Sequence, residues 1–188
     1  MLLEACEPGT SLRSLPERDQ DCIVAGLLRR CWRRPNGGHP FRSLSEQMAY
    51  WSEETNSQRS RWPDAGLVGD GLSLFQELAE PSPEDVLLTT DLHAGNILKA
   101  QREPWLVIDP KPFMGDAAYD VTQHLLNCDA RLQQDAAGLI SRMSDLAGVD
   151  RKRVQLWLFA RLAAEPREDW NDGSIALARR IGKSLAFG

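Results

Sequence analysis

Residues 86–120 read VLLTTDLHAGNILKAQREPWLVIDPKPFMGDAAYD, and the order of apolar runs, prolines and acids in this stretch decides the architecture. Val86, Leu87 and Leu88 predict a short strand, followed by a loop that carries Asp91, His93 and Asn96. Ile97-Leu98-Lys99 and Trp105-Leu106-Val107-Ile108, joined by a polar turn over 101–104, predict a β-ribbon. Its second strand ends on Asp109, and Pro110 and Pro112 stop any continuation. Two apolar strands thus deliver an acid-bearing loop and a second acid towards one place. Loops held by a rigid scaffold are where chemistry usually sits. Four residues separate Asp91 from Asn96. In catalytic loops that share this spacing the Asp accepts a proton from an attacking hydroxyl and the Asn carbonyl ligates Mg2+, a hard cation that prefers oxygen, and the same roles are expected here. Asp109 is placed to complete the metal site.

On either side the chain is helical. Ser14-Leu15-Pro16-Glu17 has the capping-box pattern and predicts a helix over 15–33, with Ile23, Leu27 and Cys31 on its inner face and Arg29, Arg30, Arg33 and Arg34 at its solvated end. Ser43-Leu44-Ser45-Glu46 repeats the pattern, and Leu44, Met48, Trp51 and Thr55 follow at helical spacing. A helix is predicted over 67–80, facing inward through Leu67, Gly71, Phe75 and Leu78. Gly66, Gly69 and Gly71 follow no strand and do not match a nucleotide-binding glycine loop. Further helices are predicted over 116–127 (Tyr119, Gln123 and Leu126 in register), from Leu132 through Met143 with a stop at Gly148, from a cap at Asp150, and over 173–186.

The 188 residues are enough for one domain with a sizeable core, and the 42% hydrophobic and 26% charged content is ordinary for a soluble globular protein. A net charge of −5 gives no electrostatic footprint for nucleic acid. No run approaches the length of a membrane span, and the N-terminus, with Glu4 and Glu7, has no basic signal-peptide start. Cys6, Cys22, Cys31 and Cys128 form no C-x-x-C and read as free thiols of a cytoplasmic protein.

The D-x-x-x-x-N spacing is that of a kinase catalytic loop. Three blocks, Asp91 to Leu98, Ile108 to Pro112 and Gly115 to Asp120, in this order, resemble the aminoglycoside phosphotransferase branch of the kinase-like fold. Within it they look most like the streptomycin 6-phosphotransferase and hydroxyurea phosphotransferase family. Thr89-Thr90 stand where that family has His-Gly, and β-branched Thr does not reach the conformations open to Gly.

The resemblance implies an α+β fold: a mostly helical, protein-kinase-like C-terminal lobe with a small β-ribbon carrying the catalytic and metal-binding acids, and the N-terminal lobe missing. Residues 1–9 would be a hinge-like strand remnant, with Glu4, Ala5 and Cys6 meeting the nucleotide, and residues 10–188 the C-lobe. The implied activity is ATP-dependent phosphoryl transfer, of the antibiotic-resistance type, to a hydroxyl of an aminoglycoside such as streptomycin. ATP and Mg2+ are the implied cofactors. Asp91 is then the base, with His93 beside it orienting the loop. Asn96 and Asp109 hold Mg2+, Lys111 reaches a phosphate or the substrate, and Asp120 anchors the loop by accepting backbone N–H bonds.

In such kinases a glycine-rich loop and a strand lysine precede the hinge, yet no lysine occurs before Lys99. The expectation is a chain carrying the C-lobe alone and impaired by itself, through a late start, a broken gene or an N-lobe supplied separately. The expected partner is a small molecule, with no nucleic acid and no membrane. Self-association, or docking of a separate N-lobe, would use an apolar surface near Leu2, Leu3 and Leu106. Two other readings stand beside this one. The first is a non-catalytic pseudokinase remnant or small-molecule binding module. The second is a metal-dependent hydrolase built on Asp91, His93 and Asp109, for which His39 and His124 look isolated.

Overall fold

The computed structural model describes residues 5–35, 37–170 and 172–185. It is mostly helical, with two small antiparallel sheets. In chain order the elements are α1 (Glu17–Cys31), α2 (Leu44–Ser57), α3 (Ala65–Leu78), β1 (Val86–Leu88), β2 (Ile97–Lys99), β3 (Trp105–Val107), β4 (Phe113–Gly115), α4 (Ala117–Leu126), α5 (Asp129–Gln134), α6 (Ala136–Ala147), α7 (Arg151–Ala164) and α8 (Asp172–Leu185).

The helices begin where short polar side chains satisfy their first amides. Ser43 and Glu46 form a reciprocal capping box on α2. Asp64, Asp116, Asp135 and Asp150 cap α3, α4, α6 and α7 through their carboxylates. Gly148, at φ 72°, closes α6 in the left-handed conformation that glycine takes most easily.

The hub is α7. Val154, Trp157, Leu158, Ala160, Ala163 and Ala164 are all buried on it, and α3, α4, α6 and α8 pack around it. Small residues set the closest approach. A Cβ on Gly71 of α3 would stand 2.8 Å from the Ala164 Cβ and 2.9 Å from the Ala163 Cβ, so the two helices meet at a distance that only glycine permits.

Strand β1 pairs with β4 (Val86 opposite Gly115), and β2 with β3 (Ile97 opposite Val107). The β2–β3 ribbon and its 97–99 and 105–107 strands agree with the sequence reading. Strand β4 was not anticipated, because Pro110 and Pro112 precede it directly; the turn they make returns the chain antiparallel to β1.

Four expectations need correction. Helix α1 starts at Glu17 behind Pro16, and Ser14 belongs to a preceding 3-10 turn (Leu12–Ser14) capped by Ser11, so the first capping box does not form. The inner face of α1 is Val24, Ala25, Leu27 and Leu28 with Asp21, while Ile23 and Cys31 are only half-buried. The helix drawn from Leu132 to Met143 breaks at Asp135, whose side chain caps α6. Finally, Ala5 and Cys6 lie outside any strand, and the pairing in this region comes later: Gly9 N donates to Lys99 O at 3.1 Å and Lys99 N to Thr10 O at 2.8 Å. Glu4, Leu2 and Leu3 lie outside the described residues.

Candidate active site

Asp91 sits in the loop after β1, one-fifth exposed at the floor of a cleft. Two donors hold its carboxylate: Gln123 Nε2 to Oδ1 at 2.8 Å, and the Lys111 ammonium to Oδ2. Asn96 Nδ2 donates to the Asp91 carbonyl at 3.0 Å, which ties the two ends of the loop together and leaves the Asn96 carbonyl oxygen as the available ligand. The loop touches the second acid through the backbone, where Ile108 N donates to Asn96 O at 2.9 Å. The next residue, Asp109, has φ 50°, a left-handed position that Asp tolerates better than most residues. Its carboxylate is largely exposed and lies 3.5 Å from Lys111 Nζ. The hydrogen bond from Lys111 to Asp91 raises the lysine above its ordinary pKa.

The expected anchoring role of Asp120 is realised in detail. It has no exposed surface and accepts from Thr89 N (2.9 Å), Trp32 Nε1 (3.0 Å), Thr90 N (2.7 Å) and Thr89 Oγ1 (3.1 Å). Burial pushes the carboxyl up, and these donors pull against that push. Four donors on one buried carboxylate fix the backbone that presents Asp91.

His93 braces the loop. Its Nδ1 accepts the Gly95 N–H at 3.0 Å, so a neutral ring carries its proton on Nε2, which lies 3.9 Å from Asp91 Oδ1. Burial lowers the His93 pKa against the opposing pull of Asp91, so the ring is neutral near pH 7. Gly95 makes the brace possible, since a Cβ there would stand 2.7 Å from His93 Cε1.

The Asn96 carbonyl and the Asp109 carboxylate are hard oxygen donors on neighbouring segments, a set that suits Mg2+, which takes few protein oxygens. Among the described residues no group of three or more His, Cys, Asp or Glu side chains could hold a metal, so Asp91, His93 and Asp109 do not make the ligand set of a metallohydrolase.

Residues 1–171 match the family described as aminoglycoside/hydroxyurea antibiotic resistance kinase. The chain belongs to this kinase family. It is 35% identical to a hydroxyurea phosphotransferase of Kitasatospora aureofaciens, covering 96% of this chain and 54% of that protein. It is also 35% identical to a streptomycin 6-kinase of Streptomyces glaucescens, covering 94% of this chain and 60% of that protein. A streptomycin 6-kinase of Streptomyces griseus is 33% identical, with 95% and 61% covered. The chain thus spans little more than half the length of these relatives. Among solved structures, the choline kinase LicA of Streptococcus pneumoniae superposes with a TM-score of 0.63 at 18% identity, covering 98% of this chain and 70% of that one. That likeness supports the kinase-like fold.

Against this family's pattern, the Thr89-Thr90 departure is accommodated locally. Thr90 takes φ 47°, the left-handed position where the family has Gly. Its N–H reaches Asp120, and its hydroxyl donates to Lys111 O at 2.6 Å. Those two bonds hold a conformation that β-branched residues disfavour. The doubt that Thr89-Thr90 raised about the loop's backbone geometry is answered by these tertiary partners, which local preference does not count.

The cleft itself went unread. It measures about 230 Å³ and is lined by Asp91, Lys111, Gln47, Trp51, Tyr119, Gln123, Arg161 and Glu165, among others. Gln123 had been placed with Tyr119 and Leu126 as a helical stripe, yet it turns towards Asp91. Its position one turn beyond Asp120 on α4 was the available signal. Arg161, 4% exposed on α7, carries no signal in sequence, since an arginine amid the apolar residues of a helix does not announce its partners.

Proposed function

We propose that this chain carries the catalytic half of an ATP-dependent phosphotransferase acting on the hydroxyl of a small molecule. What supports the reading best is the arrangement of Asp91 at the cleft floor, with Asn96 and Asp109 on neighbouring segments and Asp120 pinning the loop from below. Asp91 accepts the acceptor's proton. Asn96 and Asp109 hold Mg2+, which neutralises phosphate charge when bound. Lys111 is long, exposed and already between the two acids, so it can turn to a phosphate. Ala5 and Cys6 border the nucleotide in this reading. In this reading the described residues correspond to the C-terminal lobe of the kinase-like fold.

The relatives' names supply two acceptors. Hydroxyurea is small enough to sit whole in the 230 Å³ cleft, whereas streptomycin would enter by one ring, since drug-sized ligands need roughly 300 Å³ or more. An aminoglycoside such as streptomycin is the acceptor we favour, because two of the three relatives named above are streptomycin 6-kinases.

Calorimetry of ATP binding with and without Mg2+ tests the metal site. Asp109→Asn should remove the Mg2+-dependent part of the affinity, and an unchanged Mg2+ dependence would refute the assignment. Asp91→Asn should abolish transfer to streptomycin or hydroxyurea while leaving acceptor binding nearly intact. Undiminished transfer would remove Asp91 as the base.

A further inference from the structure

We infer that Gln123 and Arg161 form a positioning pair that fixes which oxygen of Asp91 is presented to the acceptor. This rests on reading Asp91 as the base. Gln123 Nε2 donates to Asp91 Oδ1 at 2.8 Å, while Gln123 Oε1 accepts from Arg161 Nη2 at 2.9 Å. A carboxylate only accepts and a guanidinium only donates, so the amide has one admissible orientation. Its nitrogen must face Asp91.

Arg161 is itself locked. Its Nη1 donates to Thr122 Oγ1 at 2.9 Å, and its Nε and Nη2 reach the two Glu165 oxygens at 2.9 and 3.2 Å. Its guanidinium carbon lies 5.0 Å from the Tyr119 ring centre and 5.8 Å from that of Trp51. Burial works against this cation, but Glu165 and its other partners keep it charged. The pair therefore runs from α7 through α4 to the loop, two packed helices steering one flexible element. With Oδ1 held by Gln123, Oδ2 is the oxygen that takes the proton once Lys111, which donates to it here, turns to a phosphate.

Two measurements test this on the 188-residue chain. The first is the side-chain amide resonance pair of Gln123 in a proton–nitrogen correlation spectrum. Asp91→Asn and, separately, Arg161→Lys should each move it. A pair unmoved by Asp91→Asn overturns the proposal, whether or not the chain turns over substrate. The second is kinetic. Gln123→Ala should lower kcat roughly 10–100-fold, the scale of a misplaced reacting group, with KM for ATP and the thermal midpoint unchanged. Gln123→Glu, which cannot donate when ionised, should not rescue the rate. A wild-type kcat in Gln123→Ala overturns the positioning role. An inactive parent chain is what a lone catalytic half would give, and the amide resonances would then decide the pair alone.

Discussion

Thr90 keeps a left-handed backbone, φ 47°, with two tertiary hydrogen bonds rather than with the freedom of a glycine. A left-handed L-residue costs about 1–2 kcal/mol, and a hydrogen bond contributes about 1 kcal/mol, so the two nearly cancel. Thr90→Gly removes both the strain and the hydroxyl bond and should change stability little. Thr90→Val keeps the strain and loses the bond, and should be the less stable of the two by about 1 kcal/mol or more in urea unfolding. The opposite order would show that the left-handed strain at this position is unimportant, because both variants lack the hydroxyl bond to Lys111. From residue types alone the position looked wrong for Thr, because the compensating partners, Asp120 and the Lys111 carbonyl, lie 30 and 21 residues away.

Helix α7 shows how an element's role escapes its own pattern. Its period marks Val154, Trp157, Leu158 and Leu162 as apolar, and these are buried. Ala160, Ala163 and Ala164 are equally buried, and they read as filler in sequence. Their meaning comes from α3, where Gly71 lets the helices close. Gly71→Ala should gain about 1 kcal/mol in helix propensity. Against that, the added methyl meets two Cβ atoms at 2.8 and 2.9 Å on a packed helix, an overlap that costs about 1–3 kcal/mol. The clash should win, and the thermal midpoint should fall; a rise would mean that α3 and α7 can separate freely. Helix starts governed by a local cap, such as Ser43, Asp116 and Asp150, were legible. The start of α1 and the break at Asp135 were not, because each turned on which of two nearby polar residues the packing selects.

Four helices are tied together by one buried charge. Asp21 of α1, with no exposed surface, accepts from His124 of α4 at 3.1 Å, from Arg131 of α5 at 2.7 and 3.0 Å and from Arg142 of α6 at 2.8 Å. His124, which looked isolated in the sequence, is thus a core partner. Burial alone would lower His124, but the bond to Asp21, with Cys128 beside it, lifts it to about 9. Burial would raise Asp21, but His124, Arg131 and Arg142 hold it well below the usual carboxylate range. The His124 contribution is therefore complete below pH 6.5 and lost as pH rises through about 9, on the order of 3 kcal/mol. The Asp21 contribution is present above the ordinary carboxylate pKa and lost on acidification. Urea midpoints should fall between pH 6.5 and 9.5, and the fall should vanish in His124→Gln; a flat profile in the parent chain would leave His124 neutral in the fold.

The stretch 86–120 carried its meaning in local order: apolar strands, the D-x-x-x-x-N spacing, the prolines after Asp109 and the cap at Asp116 are all near-neighbour relations that chain chemistry constrains directly. These gave the fold class, the loop, the acids and the family resemblance. The Gln123–Arg161 pair, the cleft walls, the Asp21 cluster and the tolerance of Thr90 depend on residues tens of positions apart meeting in space. A polar side chain in a helix has the same local preference whether it faces water or a buried charge, so its partner is settled only when the helices pack.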